Sequence, residues 1–223
     1  MLLGIDIGTS NLDQDYTKLN DEITVEFQAS DGASGLAAPP RVSVGGSAPV
    51  AATPISGSTY RAVYTMASDD PIGAIDVQIT AEDVAGNAVT STPASGINYY
   101  TAAPDPGDIS IFSLGESNDL AKAGDEVRVS FNPDRELSAA PTVRIAGRDA
   151  VVEPADDTKP TEGPYLASYE VTESDFNASG NVLSTGDKIP IEINYVGAAG
   201  NPATFTATTD NSTVTYDNTP PAV

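Results

Sequence analysis

The chain has 223 residues, with 32 Asp and Glu against 10 Lys and Arg, a formal net charge of -22, and no Cys, His or Trp. Those absences exclude thiol and imidazole nucleophiles, disulfides, and thiolate or imidazole metal sites. The acid excess repels phosphate backbones and anionic membrane surfaces, and no stretch reaches the roughly 20 apolar residues that span a bilayer, so neither nucleic-acid binding nor membrane insertion of this segment is expected.

From the N-terminus onward, apolar residues alternate with polar ones in short runs: Ile23, Val25 and Phe27, then Val42 and Val44, then Ile75, Val77 and Ile79. Period two marks strands with one buried face. Turn pairs such as Asp31-Gly32, Gly45-Gly46 and Asp70-Pro71 separate the runs, and no helical periodicity longer than a turn or two occurs. The predicted strands of the first half are 3–9, 22–29, 40–45, 48–53, 58–66, 74–82 and 88–99.

The pattern then repeats. Lys18, Asp21, Glu22, Ile23, Val25 and Phe27 match Lys122, Asp125, Glu126, Val127, Val129 and Phe131 at a constant offset of 104. Leu36, Pro40, Val42, Val44 and Gly46 answer to Leu137, Pro141, Val143, Ile145 and Gly147, and Gly86-Asn87 to Gly200-Asn201. The second set of strands is predicted at 108–114, 125–132, 141–146, 149–154, 164–172, 188–196 and 203–216. Changes of offset fall in Pro- and Gly-rich segments, where loops tolerate insertion. The expected organisation is a first domain at 1–103, a short linker at 104–106, a second domain at 107–219, and the start of a further linker at 220–223. About seven short strands per copy is the count of an immunoglobulin-like sandwich. The fold class is therefore all-β, two tandem immunoglobulin-like β-sandwiches.

The segment Asp83-Val84-Ala85-Gly86-Asn87, following a strand of pattern Ile-x-Val-x-Ile, and the terminal Tyr216-Asp217-Asn218-Thr219-Pro220-Pro221 resemble the tandem bacterial Ig-like domains of large surface proteins. In that family an Ala-Gly-Asn turn joins the last two strands, and an Asp-x-Thr-Pro-Pro linker leads into the next repeat. The resemblance covers essentially the whole chain. The first copy departs from it at the linker, which reads Pro104-Asp105-Pro106, and the second at the turn, where Gly197 stands in place of the Asp. The resemblance implies a spacer of a large extracellular adhesin at the bacterial cell surface. Its partners are neighbouring repeats of the same chain, host or substratum ligands are met through other regions, and the fragment itself is a monomer. A surface-layer subunit that assembles laterally and a glycan- or protein-binding module are the alternatives. No enzymatic activity is expected.

Calcium is the cofactor this composition favours, because hard cations take oxygen ligands. Strand order in an Ig sandwich groups Asp13, Asp15, Asp69 and Asp70 at the pole where the last strand leaves, beside Asp105 and Asp108, with Asp134 from the second copy. A second pair, Asp31 and Asp83, falls at the opposite pole of the first copy. Solvated loop acids are the alternative. Tyr60 and Tyr64, matched by Tyr165 and Tyr169, share one face of a strand and offer either a sugar-stacking surface or core packing with bonded hydroxyls.

Overall fold

The computed structural model describes residues 1–32 and 34–221; Ala222 and Val223, part of the expected terminal linker, lie outside the described residues. The chain divides into two units, Met1–Thr101 and a second from Ala102 onward.

Unit 1 contains β1 (Leu2–Thr9), β2 (Tyr16–Thr17), β3 (Glu22–Ala29), β4 (Arg41–Val44), β5 (Val50–Ala51), β6 (Thr53–Ser56), β7 (Thr59–Thr65), β8 (Gly73–Glu82), β9 (Ala88–Ser91) and β10 (Ala94–Tyr99). One sheet has the order β1-β3-β7-β6, the other β2-β10-β8-β4-β5 with β9 also on β8. Alternation in β3 buries Ile23, Val25 and Phe27, which share a core with Val42, Val44, Val77, Ile79, Ile97 and Tyr99.

Unit 2 repeats the plan with β11 (Ser110–Ser113), β12 (Leu120–Ala121), β13 (Glu126–Phe131), β14 (Thr142–Ile145), β15 (Arg148–Asp149), β16 (Val151–Pro154), β17 (Tyr165–Glu170), β18 (Ile191–Val196), β19 (Pro202–Phe205) and β20 (Thr215–Tyr216). Its sheets are β11-β13-β17-β16 and β15-β14-β18-β19, with β12 beside β20. Phe131 stacks on Tyr165 at 5.2 Å and lies 6.5 Å from Tyr195, so aromatic rings fill the middle of this core. In both units the first, second, fifth and fourth long strands form one antiparallel sheet, and the third, sixth and seventh form the other. Each unit is an immunoglobulin-like β-sandwich.

Three features depart from the predicted strands. The short β2 and β12 were not anticipated; each pairs in parallel with the end of the last strand, Thr17 beside Tyr99 and Ala121 beside Tyr216. Two residues are too few to show a period. The predicted fourth strand is split, because the chain leaves β4 through β5 and joins β7 through β6, with Ala52 buried at the crossing. The last strand is also interrupted. In unit 1 it breaks at Thr92-Pro93, where proline has no N–H for the ladder. In unit 2 residues 206–214 form no strand, and their hydroxyls serve strand β11 instead: the amides of Ile109 and Ile111 donate to Thr209 Oγ1 (2.7 Å) and Ser212 Oγ (2.8 Å).

Register fixes where the chain enters and leaves each unit. Leu2 pairs with Ala29 at the far end of β3, whereas Tyr99 ends beside Thr17 and its hydroxyl donates to the Ala67 carbonyl at 2.6 Å. In unit 2, Ser110 pairs with Ser130 near the end of β13, and the chain leaves at Tyr216 beside Ala121 and Asp187. Entry and exit therefore lie at opposite poles of each sandwich.

Candidate functional site

The poles carry the acids, and a recurring turn explains many of them. In Lys18–Asp21 the Asp21 amide donates to the Lys18 carbonyl (3.1 Å), while the Lys18 amide donates back to Asp21 Oδ2 (2.9 Å). The same reciprocal pair joins Lys122 with Asp125, Ala67 with Asp70, Thr172 with Asp175, and Ser184 with Asp187. Asn20, Gly124 and Gly186 occupy the third position with φ of 69°, 91° and 95°, the left-handed conformation of a type II turn. Each carboxylate thus satisfies an amide that neither sheet can use. Burial works against the charged form of Asp125, but hydrogen bonds from the Lys122 side chain and amide hold its carboxyl below the ordinary range.

The expected metal residues are distributed as follows. Asp13 accepts the Asp15 amide (3.0 Å), the Asp15 carbonyl accepts the Asn98 amide (2.9 Å), and both side chains are exposed beside the end of β10. Asp69 is exposed at the same pole, and Asp70 is engaged by the Ala67 amide and the Tyr64 hydroxyl, both at 2.7 Å. At the other pole Asp31 accepts from the amide and hydroxyl of Ser34, and Asp83 from the amide and side chain of Asn87. The Asn87 bonds lower the Asp83 pKa, and the Asp31 charge opposes them. In unit 2, Asp105 and Asp134 are joined: the Asp105 amide donates to Asp134 Oδ1 (2.7 Å) and the Asp134 amide to the Asp105 carbonyl (2.9 Å). Asp108 is exposed. Within either unit no three carboxylates among the described residues gather as a metal ion requires, and among those residues no buried side-chain polar atom lacks a hydrogen-bond partner.

The four tyrosines turn toward the cores. Tyr60 stacks on Phe27 with centroids 6.1 Å apart, and Tyr165 is buried with its hydroxyl donating to the Pro160 carbonyl at 3.1 Å. Tyr64 and Tyr169 donate to Asp70 (2.7 Å) and Asp175 (2.9 Å). Burial first, then the Asp70 bond and charge, push Tyr64 up to about 12; burial and the charges of Glu136 and Glu162 do the same for Tyr165. This tyrosine–aspartate corner was not anticipated. Its signal was available, because the offset of 105 between Tyr64 and Tyr169 continues to Asp70 and Asp175. In unit 2 the corner is elaborated: Asp175 is fully buried and also meets Arg148 Nε at 3.2 Å.

Pro104, Asp105 and Pro106 are bonded into unit 2. Tyr195 donates its hydroxyl to the Pro104 carbonyl (2.7 Å), Arg135 donates to the Ala103 carbonyl (2.9 Å), and the Asn132 amide reaches Pro106 (2.9 Å). Pro104 packs over the turn between β18 and β19, where a Cβ added at Gly197 would lie 2.5 Å from its ring. The turn of unit 1 carries Asp83 at this position. Pro104 occupies the space such a side chain would need, which accounts for the glycine.

The sequence matches no protein-family description and no curated protein. Among solved structures it is similar to one described as concerning host-cell-surface retention of a 1.5-MDa bacterial ice-binding adhesin (TM-score 0.48, 20% identity, 96% of this chain and 64% of that one). It is similar to a Ca2+-stabilised adhesin with which an Antarctic bacterium binds ice (0.44, 20%, 96% and 49%) and to the I67–I69 fragment of the titin I-band (0.46, 9%, 97% and 65%). The chain spans less than two thirds of each of these chains. The fold assignment rests on the strand order above. Among the described residues no helix is long and apolar enough to cross a membrane.

Proposed function

We propose that the two sandwiches are extension modules of a large extracellular surface adhesin of a bacterium, holding a ligand-binding region elsewhere in the protein away from the cell. The observation that carries this reading is the passage of the chain from one pole to the other in both copies. A unit built this way adds its long dimension to the chain, about 35 Å for a ten-residue strand with its turns. The acids committed to closing turns and the tyrosines committed to the cores fit a module whose work is to stay folded, and no enzymatic role is assigned. Calcium stiffening is the finer part of the proposal, and exposed carboxylates such as Asp13, Asp15 and Asp69 of unit 1 are the oxygen ligands a hard cation would take.

Pulling single molecules from their ends tests the reading. Two separate unfolding events are expected, each releasing about 300–400 Å, from roughly 3.5 Å per extended residue less the folded length. Unfolding at forces barely above thermal noise would remove the extender role. Repeating the measurement in calcium and then EGTA at constant ionic strength isolates the cation: a higher unfolding force in calcium supports stiffening, and unchanged traces withdraw it. Sedimentation in the same buffers addresses lateral assembly, for which calcium-dependent oligomers are the sign and a monomer the contrary result.

A further inference from the structure

The outer face of the β14–β18 sheet carries a groove of about 670 Å³ in unit 2, lined by Arg144, Phe176, Asn177, Pro190, Glu192 and Thr206. Unit 1 has a groove of about 610 Å³ in the same place, with Ser43, Asp76, Gln78 and Thr92 at the positions of Arg144, Pro190, Glu192 and Thr206. The difference lies in one wall. Between Tyr64/Tyr169 and Ile79/Ile193 the offset rises from 105 to 114, so unit 2 has nine more residues between these matched positions than unit 1. Those residues fold over the β14–β15 turn and bring Phe176 to the groove. There the Phe176 amide donates to the Ala146 carbonyl (3.0 Å), Arg148 lies 4.7 Å over the ring, and Arg148 is in turn held by Asp175 and the Ser174 carbonyl. Asn177 closes the loop by accepting the amides of Ser179 and Asn181. The wall is set before any ligand arrives, which lowers the ordering cost of binding.

Arg144 and Glu192 stand directly opposite each other across β14 and β18, yet they are not paired. Arg144 gives its Nε to Asp149 (2.9 Å), and Glu192 accepts from Asn194 through Oε1 (2.8 Å). The Arg144 Nη groups and Glu192 Oε2 therefore remain for a ligand. A guanidinium beside a carboxylate suits neighbouring hydroxyls, one oxygen accepting from the arginine while the next hydroxyl donates to the glutamate. Phe176 and Pro190 supply apolar surface for C–H groups. A net charge of -22 disfavours an anionic ligand, and Arg144 and Glu192 side by side present no net charge to the groove. The geometry points to a binding site for a neutral saccharide in this groove, present in unit 2 and absent from unit 1.

The test is amide NMR on the whole 15N-labelled chain, titrated with maltose, cellobiose, lactose and N,N′-diacetylchitobiose, with sialyllactose as the anionic arm. At least one neutral disaccharide should shift the amides of Phe176, Glu192 and Thr206 saturably while those of Ser43, Gln78 and Thr92 stay in place. Arg144→Ala, at an exposed residue, and Glu192→Gln, an isosteric change at a half-buried one, should each weaken binding about tenfold, the loss of a hydrogen bond to a charged group, with unit 2 melting unchanged. No shift with any neutral sugar, equal shifts in both grooves, tighter binding of sialyllactose, or shifts that persist in the double variant would overturn the proposal.

Discussion

Replacing Asp175 with alanine should be the most damaging single change at the poles. The carboxylate is fully buried and accepts from the Thr172 amide (2.6 Å), the Tyr169 hydroxyl (2.9 Å) and Arg148 Nε (3.2 Å). A hydrogen bond to a charged partner contributes about 1.5 kcal/mol net, and more when its loss leaves a buried donor unmet. The Arg148 side chain is 42% exposed and turns to water when released, so two bonds in full and a fraction of the third give a loss of about 3 kcal/mol. Asp70→Ala at the matching corner of unit 1 removes two bonds from a half-buried site, and solvent replaces part of what is lost, for about 1.5 kcal/mol. Urea unfolding followed by NMR resolves the two units, each serving as the control for the other. Unit 2 should lose about twice what unit 1 loses, and Tyr169→Phe should cost about 1 kcal/mol. If Asp175→Ala destabilises unit 2 by less than about 1 kcal/mol, the corner is not what ties the connection between β17 and β18 to the sandwich.

Two further outcomes follow from groups described above. Tyr64 and Tyr165 ionise at about 12 in the folded chain against 10.0 ordinarily; the folded pKa is raised, so their contribution is complete below pH 10, falls as pH rises from about 10 to 12, and is gone above that. Denaturation midpoints at about pH 9 and about pH 11.5 should show the loss, and the Tyr64→Phe, Tyr165→Phe double variant should reduce it, the rest belonging to Tyr99, Tyr169, Tyr195 and Tyr216, which burial also raises. Gly107→Ala should cost unit 2 about 2–3 kcal/mol, because the residue has φ of 66° and its Cβ would lie 2.8 Å from the Asn132 carbonyl oxygen. Gly57→Ala, with φ of 56° and open space around it, should cost about 1 kcal/mol, and thermal melts that rank the two the other way would remove the steric argument.

The long strands were legible because burial imposes a period. Ile23, Val25 and Phe27 announced β3 at Glu22–Ala29 with no error in either boundary, and the offset of 104 carried it to β13. What stayed hidden has no period. Thr17 and Ala121 are fixed by a parallel neighbour some 80–95 residues away in sequence, and nothing local marks them. Residues 203–216 look like one strand in composition, but hydroxyls of Thr209 and Ser212 replace the backbone ladder, an exchange that β-propensity does not register. At the poles the residue types were visible and their commitments were not. Asp70 and Tyr64 are polar groups in a loop-rich stretch, and sequence alone leaves open whether they face an ion, a sugar or each other; the structure has them bonded together. The groove wall in unit 2 could have been suspected from the longer segment before β18, but its closure by Arg148 and Asp175 depends on contacts across 27 positions.

The free sides of the sheets have a bearing on crowding. Two like sandwiches on one chain are near-copies of each other, and an open strand edge invites one copy to zip onto another. Here the edges are blunted in several ways. Strands β2, β5, β12 and β15 are two residues long, and β6 and β16 carry Pro54 and Pro154. Strand β1 is interrupted between Leu3 and Asp6 by an irregular register, and β11 has hydroxyls of the 208–212 segment laid along it. Edges shortened, broken by proline or covered in this way resist the merging of one sandwich's sheet with that of a like copy.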